Sequence, residues 1–196
     1  MGKNGYDFCV GTDNPALCRA ITGMLNKAGF YCSGTSKSIP GLLRTLRTVQ
    51  PWLAVIDTAL PPGNIEELAS IIETDGLCAA VYINTTGVNL DLYVQFNWPV
   101  DAPVLTAVAE VACNEFAHKK KLQQEIEDLQ KKLDQRKLIE RAKGLTANYF
   151  KLNEEEAYRL LRKASMEKRI PLAEMARLII EEPGRLAVLS PPRQNP

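Results

Sequence analysis

The chain has 196 residues, 45% of them hydrophobic and 24% charged, with a formal net charge of +1. That balance supports a buried core, and it is too neutral to give the whole molecule a field that would gather nucleic acid. With no run of about 18 apolar residues and no apolar core in the opening MGKNGYDFCV, a cytoplasmic protein without a membrane partner is expected. The five cysteines are scattered without a CxxC pair and read as small core residues of a reducing compartment. A single histidine, His118, rules out His-based metal clusters and argues against a Ser-His or Cys-His triad. No glycine-rich phosphate loop or nucleophile–base pair stands in a suitable context, so an enzyme is not expected.

In chain order, YDFCVG reads as a strand. The next stretch, DNPALCRAITGMLNKAG, reads as a helix with Asn14 as N-cap, Pro15 in its first turn and Gly29 closing it. FYCSGTS is a second strand candidate, and SIPGLLRTLRTVQ puts Leu42, Leu43, Leu46 and Val49 on one helical face. LAVID is wholly apolar up to its aspartate, as suits a buried parallel strand. NIEELASIIETDG follows as a helix with Asn64 and Glu67 placed for a capping box and Gly76 as its stop. LCAAVYIN and YVQFNW complete five strands alternating with helices, which predicts a doubly wound α/β domain over residues 1–101. Only TTGVNLD separates the last two strands, too little for the usual crossover, so the fourth helix is expected to be missing or reduced to a turn, unless the last strand pairs elsewhere.

After Asp101 the texture changes. No Pro or Gly occurs between Pro103 and Gly144, and Leu122, Ile126, Leu129 and Leu133 repeat at spacings of four, three and four. This is a coiled-coil seam, assigned to residues 102–135, whose simplest partner is a second copy of the chain. A looser stripe (Leu105, Val108, Ala112, Phe116) precedes it, and packing against the helix's own domain is the competing reading. Two further helices follow. In NEEEAYRLLRKASMEKR, Asn153 and Glu156 form a capping box, and Ala157, Leu160, Leu161 and Ala164 share a face. In PLAEMARLII, Leu172, Met175, Ala176, Ile179 and Ile180 share another. With Leu138, Ala142, Leu145 and Tyr149 as a third wall, residues 136–183 read as a three-helix domain and 184–196 as a frayed tail. Charge follows this division: residues 1–100 carry six bases and eight acids, 101–135 five and seven, and 136–182 eleven and eight. The last region is the one suited to a polyanion.

The stretch RKLIERAKGLTANYFKLNEEEAYRLLRKASMEKRIPLAEMARLII resembles the ANTAR domain of bacterial transcription antiterminators. The resemblance runs through Arg141-Ala142-Lys143-Gly144-Leu145, Glu156-Ala157-Tyr158, Leu161-Arg162, Ala164-Ser165-Met166 and Leu172-Ala173-Glu174-Met175-Ala176, over about 45 residues without a gap. The first hundred residues resemble a response-regulator receiver. Asp57 in LAVID matches the phosphoacceptor and Pro61 the proline after it, and Asp13 in GTDNP matches one of the two metal-holding acids. Three positions depart from the family. Thr12 stands for the second acid, Asn84 for the switch hydroxyl (with Thr85 beside it), and Trp98 for the lysine.

The resemblance implies a regulator that binds paired stem-loop RNAs in nascent transcripts as a dimer. Arg136, Lys137, Arg141, Lys143, Gly144 and Tyr149 on the long helix are the RNA-binding candidates, with Arg159, Arg162, Lys163, Lys168 and Arg169 on or just after the next. For Gly144 the plain alternative is close helix packing, for Tyr149 a place in the core, and for the second helix's bases a solvated face. The receiver-site departures imply control by protein contact in preference to phosphorylation at Asp57. The upstream partner is then a sensor kinase or a regulatory protein, with no cofactor beyond weak Mg²⁺ at Asp13 and Asp57. The rival classes are a DNA-binding response regulator and a protein-only signalling one. For DNA, the last helix offers Glu174, Arg177 and Glu181 outside its apolar face, a poor match to phosphates.

Overall fold

The computed structural model describes residues 5–87, 92 and 94–188. The chain divides into two compact units, residues 1–122 and 123–196.

In the first unit, β1 (Asp7–Gly11), β2 (Tyr31–Ser36), β3 (Leu53–Asp57), β4 (Ala79–Asn84) and β5 (Gln95–Asn97) form one parallel sheet in the order β2-β1-β3-β4-β5. Helices α1 (Pro15–Lys27), α2 (Ile39–Val49) and α3 (Ile65–Thr74) cross between strands as the apolar periods predict. Asn14 caps α1 through Ala16 and Leu17 N–H. Asn64 caps α3 through Glu66 N–H alone, so the expected capping box with Glu67 does not form. β3 is buried on both faces. Leu53 and Val55 join a cluster with Phe8, Ile21 and Leu25 under α1, while Ala54 and Ile56 join Leu42, Leu46 and Leu68 under α2 and α3. At the end of β1 a side chain would not fit, because a Cβ on Gly11 would lie 2.6 Å from Leu42 Cδ2.

The short connection after β4 leads back into the sheet. β5 pairs parallel to β4 with Tyr82 opposite Gln95, and no helix intervenes among the described residues. Residues 88–91 and 93 of the expected segment lie outside the described ones. The strand is adapted to lacking a covering helix. Val94, Phe96 and Trp98 pack into the α1-side core, and the alternation of a strand turns Gln95 and Asn97 to the other face.

The long helix α4 runs from Ala102 to Phe150. Its first five turns complete the first unit, with Leu105, Ala109 and Cys113 fully buried against the sheet. Phe116 meets Trp52 edge-on at 6.2 Å, and Lys120 Nζ lies 5.9 Å from the Trp52 ring. The first division of the chain therefore falls after residue 122 and not at 101, because the looser stripe serves the sheet's own core. From residue 118 to 137 every residue is exposed, Leu122, Ile126, Leu129 and Leu133 among them.

In the second unit the end of α4 packs with α5 (Glu154–Lys168) and α6 (Leu172–Glu181). The α4 wall is Leu138, Ile139, Ala142 and Phe150, with Thr146 also fully buried. This corrects the expected register of Leu145 and Tyr149 by one residue. Thr146 is tolerated inside because its hydroxyl donates to Ala142 O at 2.8 Å, and Tyr149 is left 55% exposed. Helices α4 and α5 both end at a basic residue in the left-handed region, Lys151 (φ 57) and Arg169 (φ 54). In each, the next N–H reaches back five residues, from Leu152 to Ala147 O and from Ile170 to Ser165 O. The supposed tail begins as a 3₁₀ turn, Pro183–Val188, which buries Leu186 against this core. Residues 189–196 lie outside the described ones.

Candidate functional site

The carboxyl ends of β1, β3 and β4 converge on Asp57, where parallel sheets of this order place their ligands. Asp57 is 2% exposed and both its oxygens are engaged. Thr12 Oγ1 donates to Oδ2 at 2.8 Å; Thr85 Oγ1 and Ala59 N donate to Oδ1 at 2.7 and 3.0 Å. Asn84, the residue aligned with the switch hydroxyl, uses its Oδ1 to accept from Thr86 and Gly87 N–H at 3.1 and 2.9 Å, which shapes the turn after β4. The hydroxyl expected to be missing at that position is thus supplied by Thr85. Trp98 packs into the α1-side core. Asp13 is exposed, and Asn14 N–H bonds back to Thr12 Oγ1 at 3.1 Å.

Mg²⁺ here would have to rest on Asp57 and the exposed Asp13, with Thr12 bringing a hydroxyl where the receiver family brings a second carboxylate. A hard cation needs several oxygens with lone pairs turned toward it. Each Asp57 oxygen accepts one hydroxyl hydrogen bond, and among the described residues no group of three acids, histidines or cysteines comes together. The cysteines add no reactive centre at the core, where burial pushes the thiols of Cys78 and Cys113 up to about 12.

In the second unit the basic candidates differ in what they are free to do. Lys137 pairs with Asp134 at 3.7 Å, Lys163 with Glu167 at 3.8 Å, and Arg159 with Glu155 one turn back. Lys143 is held twice, 2.6 Å from Glu140 and 2.9 Å from Glu154, and these hydrogen bonds raise its pKa above the ordinary lysine value. Among the described residues Arg136, Arg141, Arg162, Lys168 and Arg169 form no ion pair, and all five are exposed. Gly144 is exposed, and a Cβ built on it meets nothing within 4 Å, so close packing within this chain does not account for it.

At 100° per residue, Lys137, Arg141, Gly144 and Asn148 fall within about 60° of one another, opposite the buried wall of α4. Asn148 was absent from the sequence candidates. Its signal was the spacing of four, three and four that joins it to the two bases and the glycine. Tyr149 lies off this row and is exposed, with its ring edge-on to Phe150 at 4.9 Å.

The sheet order of the first unit is that of the receiver-like fold, with an engaged aspartate at its carboxyl edge, and residues 127–180 match the ANTAR domain. Over 184 residues, 89% of each chain, the protein is 23% identical to the transcriptional regulatory protein PdtaR of Mycobacterium tuberculosis, in strains CDC 1551 and H37Rv alike. In fold it is similar to the signal receiver domain of a Luxo repressor protein from Vibrio parahaemolyticus (TM-score 0.53, 11% identity, 60% of this chain and 97% of that one). It is also similar to a CheY-like receiver domain protein from Methanospirillum hungatei (TM-score 0.51, 14% identity, 59% and 99%). These are regulatory families and not enzyme families. No helix among the described residues is long and apolar enough to cross a membrane.

Proposed function

We propose that this chain is a bacterial transcription antitermination regulator. It binds stem-loop RNA in nascent transcripts as a dimer, and its receiver-like domain governs it through protein contact without phosphoryl transfer. The carrying observation is the exposed row of Arg141, Gly144 and Asn148 on the ANTAR domain. Bases on phosphates, an amide on a splayed base and a glycine that admits a backbone are the groups that loop RNA requires. Arg136 and Tyr149 are also exposed on α4, and Arg162, Lys168 and Arg169 add unpaired charge on and after α5.

Dimerisation is supported by the seam. Leu122, Ile126, Leu129 and Leu133 are 45%, 52%, 64% and 53% exposed in a helix that has no other apolar cover there. Protein contact is favoured over phosphorylation because Thr12 stands where the receiver family has its second acid, and Trp98, packed in the core, stands where it has its lysine.

The experiment is a titration of the full chain against a tandem stem-loop RNA and a matched DNA duplex, at low and physiological salt. Saturable RNA binding that persists at physiological salt is expected. Weak binding to both that collapses with salt reduces the surface to nonspecific charge, and tighter binding to the duplex supports the DNA reading.

A further inference from the structure

Lys143 stands between two carboxylates that come from different helices. Glu140 is one turn earlier on α4, while Glu154 is the first residue of α5, beyond a connection of only Lys151, Leu152 and Asn153. The lysine side chain is 15% exposed against 56% for Glu140 and 80% for Glu154. The trio as a whole carries one net negative charge, and its negative members are the ones that face water. A phosphate approaching Lys143 meets those carboxylates first and must displace at least one of them. A covered ammonium with two short bonds, one of them across elements, also does something that exposed pairs within one helix such as Arg159–Glu155 do not: it ties the first turn of α5 to α4.

We infer that Lys143 is a positioning residue, a clamp that sets the entry of α5 against α4 so that the basic residues of α5 are presented, and that it is not itself a phosphate contact. The inference rests on the RNA-binding reading for its consequence, while the clamp stands on the protein alone. Charge on Lys143 persists through the neutral range, since its bonds to Glu140 and Glu154 favour the protonated form. The aliphatic stem packs independently of the charge, so Lys143→Met is the appropriate probe.

The test compares full-length wild type, Arg141→Met, Lys143→Met, Glu154→Gln and the Lys143→Met/Glu154→Gln double variant. Affinity for the tandem stem-loop RNA is measured across a salt series. A base that touches a phosphate contributes about 0.7–0.9 to the slope of log K against log salt. Arg141→Met is expected to lose that much. Lys143→Met is expected to weaken binding several-fold with its slope unchanged, and Glu154→Gln to weaken it comparably. A lost slope in Lys143→Met, or tighter binding in Glu154→Gln, overturns the clamp, because both mean that the lysine reaches RNA once freed. Thermal unfolding supplies the readout that does not depend on RNA. Each single variant should lower Tm by about 2–4 °C and the double variant by no more than the larger single effect. Additive losses overturn the clamp. If wild type binds no RNA, the proposed function fails and this cycle still decides the role of Lys143.

Discussion

A glycine inside an exposed helix is about 1 kcal/mol less stable than alanine, and Gly144 keeps that disadvantage where a methyl group would meet open space. Gly144→Ala is therefore expected to raise the stability of the second unit by about 1 kcal/mol, read by chemical denaturation. The same substitution should lower affinity for the tandem RNA at least several-fold. Unchanged RNA binding would remove Gly144 from the interface. At Asp57, Thr12 stands in place of one metal-holding acid of the receiver family and Trp98 in place of its lysine, so the proposed function predicts no stable phosphoryl transfer there. Incubation with a small phosphodonor and Mg²⁺ should leave the intact mass of the protein unchanged. A stable phosphoryl addition that disappears in Asp57→Asn would restore phosphorylation as the switch.

The strongest element-scale contrast lies within α4. Its first turns bury Leu105, Ala109 and Cys113 under the sheet, its last turns bury Ala142 and Thr146 among α5 and α6, and between them lies a stretch with no intramolecular cover. Isolated helix of that composition gains little from propensity alone, and its apolar stripe needs a partner to be stable. Ile126→Asp with Leu129→Asp places charge at the middle of the seam and touches neither core. Sedimentation should then show a monomer whose sheet and three-helix unit remain folded. A variant that stays dimeric would move the dimer contact elsewhere. β5 gives a second contrast, since Val94, Phe96 and Trp98 of its α1-side face alternate with the polar Gln95 and Asn97.

At the scale of the molecule, the two units have separate cores, and the proposed pairing with a second copy is the route by which RNA affinity would be raised. A dimer offers two ANTAR domains, so the second stem-loop of a tandem binds at a raised effective concentration. Deleting one loop should weaken binding by about 10²-fold for wild type and far less for the Ile126→Asp/Leu129→Asp variant. Equal losses in both proteins would mean that each chain reads one loop alone.

The amino-acid sequence by itself determined the doubly wound sheet, the short fourth connection, the long helix and the ANTAR domain. Each rests on local periodicity or a contiguous motif: LAVID for a buried strand, the absence of Pro and Gly between Pro103 and Gly144 for the long helix, and Arg141–Leu145 with the helices after it for the ANTAR match. Only the tertiary structure decided which side chain reaches Asp57, because Thr85 and Asn84 are neighbours on the chain and the turn after β4 chooses between them. It likewise decided that Thr146 and not Leu145 lines the core. Three-and-four spacing leaves both open until α5 and α6 pack, and a hydroxyl bonded to its own helix can be buried. The role of Lys143 lay furthest from the sequence. Glu154, eleven positions away, becomes its partner only when the short connection folds α5 back on α4, and that leaves the Lys143 side chain only 15% exposed while Arg141 stays open.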